Sequence, residues 1–297
     1  IFVKQKGQAN AGNGFHVQFM PTTAFAFQQS LIEWAVNRGR AAILADCGLG
    51  KTLMQLTWAQ NVVQHTNKPV LICTPLAVAA QTCKEAVKFG IEAKQSKDGK
   101  HSGGIVVTNY DRLHYFNSAD FVGIVCDESS ILKNVSGATK KQVTRFMSKL
   151  PYRLLCTATA APNDYVELGT SSEALGELTH SDMLKRFFKM LDDKGQKSEI
   201  KAQEHAERLI EIDHNYYQKL AYRVAQTIGQ WRLKHHAVDH FWRWVSSWAR
   251  ACRKPSDLGF SDKGYKLPKL INLDHVIKPD KPPKGHLFNV PAFGMGE

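Results

Sequence analysis

The run AAILADCGLGKTLMQLTWAQNVVQH, residues 41–65, decides the fold. Its first five residues are apolar without alternation, the pattern of a strand buried on both faces. A glycine-bearing turn follows, and a helix-forming stretch then begins at Lys51. A strand that stops at such a turn and resumes as a helix gathers backbone N–H groups and the positive end of a helix dipole, an arrangement that closes on phosphate. ADCGLGKT, residues 45–52, matches the phosphate-loop pattern G-x-x-x-x-G-K-[ST] except at its first position, where Ala45 stands for glycine. In that reading Asp46, Cys47, Gly48, Leu49 and Gly50 line the cradle. Lys51 reaches the β- and γ-phosphates, and the Thr52 hydroxyl ligates Mg²⁺. The plainer alternative is a glycine turn with a lysine at a helix start; the strand before and the helix after favour the nucleotide.

Four further apolar runs lie outward from this stretch: VLICT (70–74), IVVT (105–108), FVGIVC (121–126) and YRLLCT (152–157). Helical-looking segments separate several of them, so the expected fold is α/β, a parallel sheet with helices on both faces. After residue 178 the texture changes. Residues 181–253 contain no run that reads as a strand, and they hold Trp231, Trp242, Trp244 and Trp248, four of the six tryptophans. In HFWRWVSSWARACRK, Phe241, Trp244, Val245, Trp248 and Cys252 recur at helical spacing and predict a packing stripe. Trp242, Arg243, Arg250, Arg253 and Lys254 lie off it, on a face that is either solvated or tracks a nucleic-acid backbone. His235, His236 and His240 have only Asp239 beside them, which is too little for a zinc site. The expected organisation is an N-terminal segment (1–24), a nucleotide-binding lobe (25–178), a mostly helical Trp-rich extension (179–270) and a Pro/Gly-rich linker (271–297).

Two acidic residues follow the fourth run, in CDESS (126–130). Carboxylates at the carboxyl end of a buried strand are where α/β sheets keep their chemistry. Asp127 is placed to hold the metal and Glu128 to orient or deprotonate the attacking water. Alone, such a pair is equally at home in a turn; the phosphate loop upstream gives it weight. CTATAAPND (156–164) follows the fifth run, and its Thr157 and Thr159 hydroxyls suit either a link from the acidic pair to a bound strand or a simple cap. Upstream, FQQSLIEW (27–34) offers Phe27 to stack on adenine and Gln28 to bond its edge, although a glutamine at a helix start is common.

The 297 residues carry 39 Lys and Arg against 27 Asp and Glu, a net charge of +12 that favours a polyanionic partner. No apolar run approaches the roughly 20 residues of a membrane span. The six cysteines form no C-x-x-C pair and most sit in apolar runs, which predicts reduced thiols and a cytoplasmic setting. The chain opens on Ile1 rather than methionine, so it is expected to be processed or part of something longer.

Taken in order, these motifs resemble the first, RecA-like motor lobe of superfamily 2 helicases and translocases, in particular the Swi/Snf-like branch and its phage-encoded DEAD/DEAH-type helicases. Phe27–Gln28 is similar to the family's adenine-reading glutamine motif and ADCGLGKT to motif I. TPLAV (74–78) resembles motif Ia, TNYDRL (108–113) motif Ib, DESSILKN (127–134) motif II and TATAAPND (157–164) motif III. The stretch 231–260 resembles a tract in the phage-type members. The resemblance implies ATP and Mg²⁺ as cofactors, with Lys51, Asp127 and Glu128 catalytic and the metal on Thr52 and Asp127. It implies nucleic-acid and coupling contacts through Pro75, Thr108, Asn109, Tyr110, Thr157, Ala158 and Thr159. The partner it implies is nucleic acid, double-stranded DNA in preference to RNA, moved on or remodelled by an ATP-hydrolysing helicase or translocase. Motif II reads DESS in place of DEAD or DEAH, Ala160 replaces a usual proline, and no Q-x-x-G-R-x-x-R motif follows residue 178. A second RecA-like lobe is therefore expected in the full-length chain, and this portion alone is expected to hydrolyse ATP weakly.

Three alternatives stay open on the motifs alone. The chain is equally readable as the motor subunit of a restriction or repair complex, or as a non-catalytic module that binds ATP or DNA. A small-molecule kinase fits less well, because motifs Ia, Ib and III have no place in one; an ABC-type ATPase would carry L-S-G-G-Q, which is absent.

Overall fold

Among the described residues the first helix, α1 (Ala26–Arg38), stops where Gly39 takes φ +76° and hands the chain directly to β1 (Arg40–Ala45). This computed structural model describes residues 14–133, 137–159, 165–190 and 231–265. The expectations for Asn134, for residues 160–164 of motif III, for residues 192–230 and for the 271–297 linker lie outside the described residues. Beyond β1 come α2 (Lys51–Thr66), β2 (Val70–Thr74), α3 (Ala79–Lys88), β3 (Ala93–Gln95), β4 (Ile105–Asn109), β5 (Gly123–Asp127), α4 (Ala138–Met147) and β6 (Tyr152–Cys156). The later elements are α5 (Leu168–Leu175), α6 (His180–Phe187), β7 (Phe188–Met190), β8 (Trp231–Leu233), α7 (Val238–Trp248) and β9 (Ala249–Cys252).

Seven strands form one parallel sheet in the order β3-β4-β2-β5-β6-β1-β9. Every residue of β2, β4 and β6 is buried, as their unbroken apolar sequences require when helices cover both faces. Because all seven strands run the same way, their carboxyl ends share one edge, and that edge receives the loops after β1, β2, β4, β5, β6 and β9. Arg153 in β6 is the charged side chain among these three strands, and it is buried. Its guanidinium donates to the carbonyls of Leu150, Ala174 and Ser148 at 2.8–3.0 Å, tying the end of α5 to the opposite edge of the sheet. Burial, and then the neighbouring Arg40 charge, lowers its pKa to about 10, so the cation persists at neutral pH. Two ion pairs fasten the same helix region: Lys140 to Glu173 and Arg38 to Glu177, each at 2.6 Å.

The reading of residues 181–253 as strand-free is corrected. Among the described residues three strands occur there: β7 and β8 pair antiparallel, and β9 pairs parallel with β1 from Ala42↔Ala249 to Ala45↔Cys252. ARAC is four residues long and lacks β-branched side chains, and it follows an amphipathic helix without a break. Nothing local distinguishes it from a fourth helical turn; the exposed edge of β1 supplies the difference. Cys252 thus leaves the predicted helical stripe, because α7 ends at Trp248. The rest of the stripe holds: Phe241, Val245 and Trp248 are buried, while Trp242 is 40 % exposed.

The chain divides into residues 1–261 and 262–297. In the second unit the described residues 262–265 form a turn, Tyr265 N–H donating to the Asp262 carbonyl at 2.9 Å.

Trp248 is fully buried against Trp244, with ring centroids 5.4 Å apart, yet its indole N–H has no partner among the described residues. Trp248→Ala should therefore cost about 3–5 kcal/mol in urea unfolding, the usual range for removing a large aromatic. Trp248→Phe should cost much less, since it keeps most of the ring and removes an unsatisfied donor. Equal losses for the two would mean that the indole N–H is bonded after all.

Candidate functional site

The loop from Asp46 to Gly50 leaves β1 with two glycines in the left-handed region, Gly48 at φ +80° and Gly50 at φ +78°. Other residues reach that region only at a cost. At Gly48 an added Cβ would meet nothing within 4 Å, so the loop is open where a phosphate would enter. Lys51 begins α2, and its ammonium is held across the loop by the carbonyls of Ala45 (3.0 Å) and Asp46 (3.2 Å). Thr52 lies one residue on, half-buried. The Asp46 carboxylate accepts from the Cys47 N–H at 2.7 Å, and both residues are exposed.

Asp127 and Glu128 end β5, two strands away. The Asp127 carboxylate accepts from Gln55 Nε2 at 2.6 Å, and its carbonyl accepts from the Tyr110 hydroxyl at 2.6 Å. Burial raises the Asp127 pKa, while the Gln55 amide, the Glu128 N–H and the Lys51 charge pull it down. Glu128 takes φ +49°, a left-handed conformation rare for a side chain of its size. Its Oε1 accepts from Thr157 Oγ1 (2.8 Å), Ser130 Oγ (3.0 Å) and, at 3.5 Å, Thr159 Oγ1. The Thr159 N–H in turn donates to Thr157 Oγ1 at 3.1 Å. The phosphate loop, the acidic pair and the threonine motif thus sit together at the carboxyl ends of β1, β5 and β6.

Other expected residues are placed differently. Phe27 is 2 % exposed and belongs to the core, whereas Phe25 is 58 % exposed. Gln28 is buried too: it accepts from the Phe25 N–H at 2.9 Å and donates to the Leu49 carbonyl at 3.0 Å, so its amide is a strut between α1 and the phosphate loop. Thr108, Asn109 and Tyr110 are buried; the Asn109 side chain accepts from the Arg112 N–H. Pro75 and Ala158 are half-buried, and Leu76 and Thr159 face solvent.

Sequence reading passed over Gln55 and the participation of Ser130 and β9. Gln55 lies four residues after Lys51, on the same face of α2, a spacing that could have singled it out. β9 had no such signal. It brings the Cys252 carbonyl to the Asp46 N–H at 3.0 Å. A cavity of about 480 Å³ beside the loop is lined by Leu44, Asp46, Ala158, Cys252, Arg253 and Asp257. Another, of about 790 Å³, lies along α7 and includes Trp242, Arg243 and Arg250; no residue from Asp46 to Thr52 lines it.

The donor set fits a magnesium–nucleotide. Mg²⁺ is commonly bound by one or two carboxylates together with substrate phosphates. Among the described residues, no group of three or more His, Cys, Asp or Glu side chains forms a metal site of its own.

At Gly50 an added Cβ would lie 2.3 Å from Gln28 Nε2. Gly50→Ala should lose about 2–3 kcal/mol in urea unfolding, combining the left-handed penalty with loss of the Gln28–Leu49 bond. A loss below about 1 kcal/mol would mean that the loop rebuilds without strain.

No protein-family model matches the chain. No curated protein matches it either. Solved structures do. The SWI2/SNF2 ATPase core of Sulfolobus solfataricus, in complex with dsDNA, superposes with a TM-score of 0.56 at 17 % identity over 80 % of this chain. The match takes in 47 % of that core, so the chain spans about half its length. The UvsW helicase of Bacteriophage T4 is matched at 15 % identity and a TM-score of 0.42, over 60 % of this chain and 64 % of that one. The chain shares with that archaeal core its α/β fold, a parallel sheet covered by helices on both faces.

Proposed function

We propose that this chain is the first lobe of an ATP-dependent nucleic-acid translocase or helicase acting on double-stranded DNA. The observation that supports it best is the convergence of Lys51, Asp127, Glu128 and Thr157 at one edge of the sheet, with Glu128 bonded to the threonine motif. The archaeal core with this fold is bound to dsDNA, and the chain's +12 charge suits the same partner. Residues 25–178 with the returning β9 make up the lobe in this reading, and a second lobe completes the cleft. Among the described residues no helix is long and apolar enough to cross a membrane, and all six cysteines are free thiols, which suits a cytoplasmic motor.

The chemistry follows from the positions. Lys51 exchanges its two carbonyl partners for the β- and γ-phosphates. Thr52 and Asp127 would hold Mg²⁺, which when bound would neutralise charge on the phosphates. Glu128 accepts a proton from the water that attacks the γ-phosphate. In the present arrangement three hydroxyls compete for its Oε1, so Glu128 is restrained until Thr157 and Thr159 shift. A strand bound near Thr159 and Leu76 is placed to cause that shift, which would couple hydrolysis to the track. In this reading a partner lobe brings arginines to the transition state, and removing such an arginine costs about 10³–10⁵ in rate in related chemistry. Turnover by this portion alone is accordingly slow.

Lys51→Ala should weaken nucleotide binding by about 10–150-fold, the worth of a charge-assisted contact, without changing the unfolding midpoint. Unchanged affinity in a fluorescent-nucleotide titration would remove the phosphate loop from the mechanism. Affinity for duplex DNA should fall with salt with a log–log slope steeper than about −2, since each neutralised phosphate adds about −0.9. It should also change little with base sequence. A flat salt response would overturn the electrostatic account of the track.

A further inference from the structure

Gln55 is a polar residue in a place that packing alone would fill with leucine. It is 1 % exposed, on the face of α2 that looks at the sheet, between neighbours Met54 and Leu56 that are fully buried. A carboxamide taken out of water costs several kcal/mol unless its bonds are replaced, so a buried glutamine needs a partner. Here the partner is the Asp127 carboxylate, at 2.6 Å from Nε2 to Oδ1. Gln55 therefore ties the phosphate-loop helix to the end of β5, where Asp127 is the cross-strand neighbour of Cys156 in β6.

A carboxylate at the end of a strand has a free rotation about its last bond. One short, charge-assisted hydrogen bond removes that freedom and sets the plane of the group. Metal-ligating side chains are regularly held in this way by a neighbouring donor, and deleting the donor typically costs about 10–100-fold in metal affinity. We propose that Gln55 is a positioning residue whose amide fixes the Asp127 carboxylate as the ligand for the divalent cation of the bound nucleotide. Lys51 and Gln55, one turn apart on α2, then divide the labour: the first takes the phosphates and the second orients the metal's carboxylate. The assignment rests on Asp127 being the metal ligand, the reading given above.

The test compares the parent chain with Gln55→Met, which keeps length and helix preference but cannot donate. Binding of a fluorescent non-hydrolysable ATP analogue is measured in EDTA and across a Mn²⁺ titration, and protein-bound Mn²⁺ is followed by its electron paramagnetic resonance. The parent should bind the analogue more tightly with Mn²⁺. In Gln55→Met the metal-free affinity should keep its parent value while the Mn²⁺ midpoint rises about 10–100-fold and the bound-Mn²⁺ spectrum changes. Asp127→Asn should abolish the Mn²⁺ effect. Should Gln55→Met fail to fold, Gln55→Asn, whose amide is one methylene short, carries the same expectation. A Mn²⁺ midpoint and spectrum identical to the parent's would overturn the role of Gln55 while leaving the site reading intact. A parent chain whose analogue binding ignores Mn²⁺ would overturn the site reading itself, and this assignment with it.

Discussion

The parallel pairing of β1 with β6, and of β6 with β5, is the constraint from which the site follows. Residue-for-residue register brings Ile43 beside Cys156 and Cys156 beside Asp127. The three loops that leave these strands consequently start side by side, at the usual strand spacing of about 5 Å from one to the next. None of their side chains has to be long to meet: a lysine, two carboxylates and two threonines suffice. The apolar interior of the strands contributes by exclusion. The charged and amide groups buried there, Arg153 and Gln55, are bonded, and the acidic pair lies at the edge.

Glu128 shows what that crowding does. A residue with φ +49° sits in a conformation costing on the order of 1–2 kcal/mol, and persists only because its surroundings define it. The hydroxyls of Ser130, Thr157 and Thr159 supply that definition. Ser130 stands where the DEAD and DEAH patterns carry aspartate or histidine. The hydroxyl there donates to Glu128, a bond that an aspartate carboxylate in its place could not make.

The buried central strands and the α/β class were legible in the sequence because they rest on local chemistry. VLICT, IVVT and FVGIVC are too short for buried helices and too uniformly apolar for surface strands, and ADCGLGKT carries its own turn geometry. Side-chain partners were less legible. Gln28 reads as a surface residue at a helix start, yet its position beneath Gly50 is set by how α1 lies on the loop, which no local pattern encodes. Phe25 and Phe27 are both plausible aromatics; only the rotation of α1 decides that the second is the buried one. β9 was invisible for a stronger reason: its conformation is imposed by the unpaired edge of β1, some 200 residues earlier in the chain.

That last pairing also governs the order in which the molecule can be made. β1 leaves the ribosome early and pairs with β6 about a hundred residues later. Its other flank stays bare until residues 249–252 emerge. During that interval the strand leading into the phosphate loop is a free parallel edge, the kind that recruits other chains. A polypeptide cut at residue 178, after the last of the motifs, would leave that edge uncovered by β9. It would also lack the Cys252 carbonyl that receives the Asp46 N–H, so the flank of β1 and the start of the phosphate loop gain their partners together, when β9 arrives.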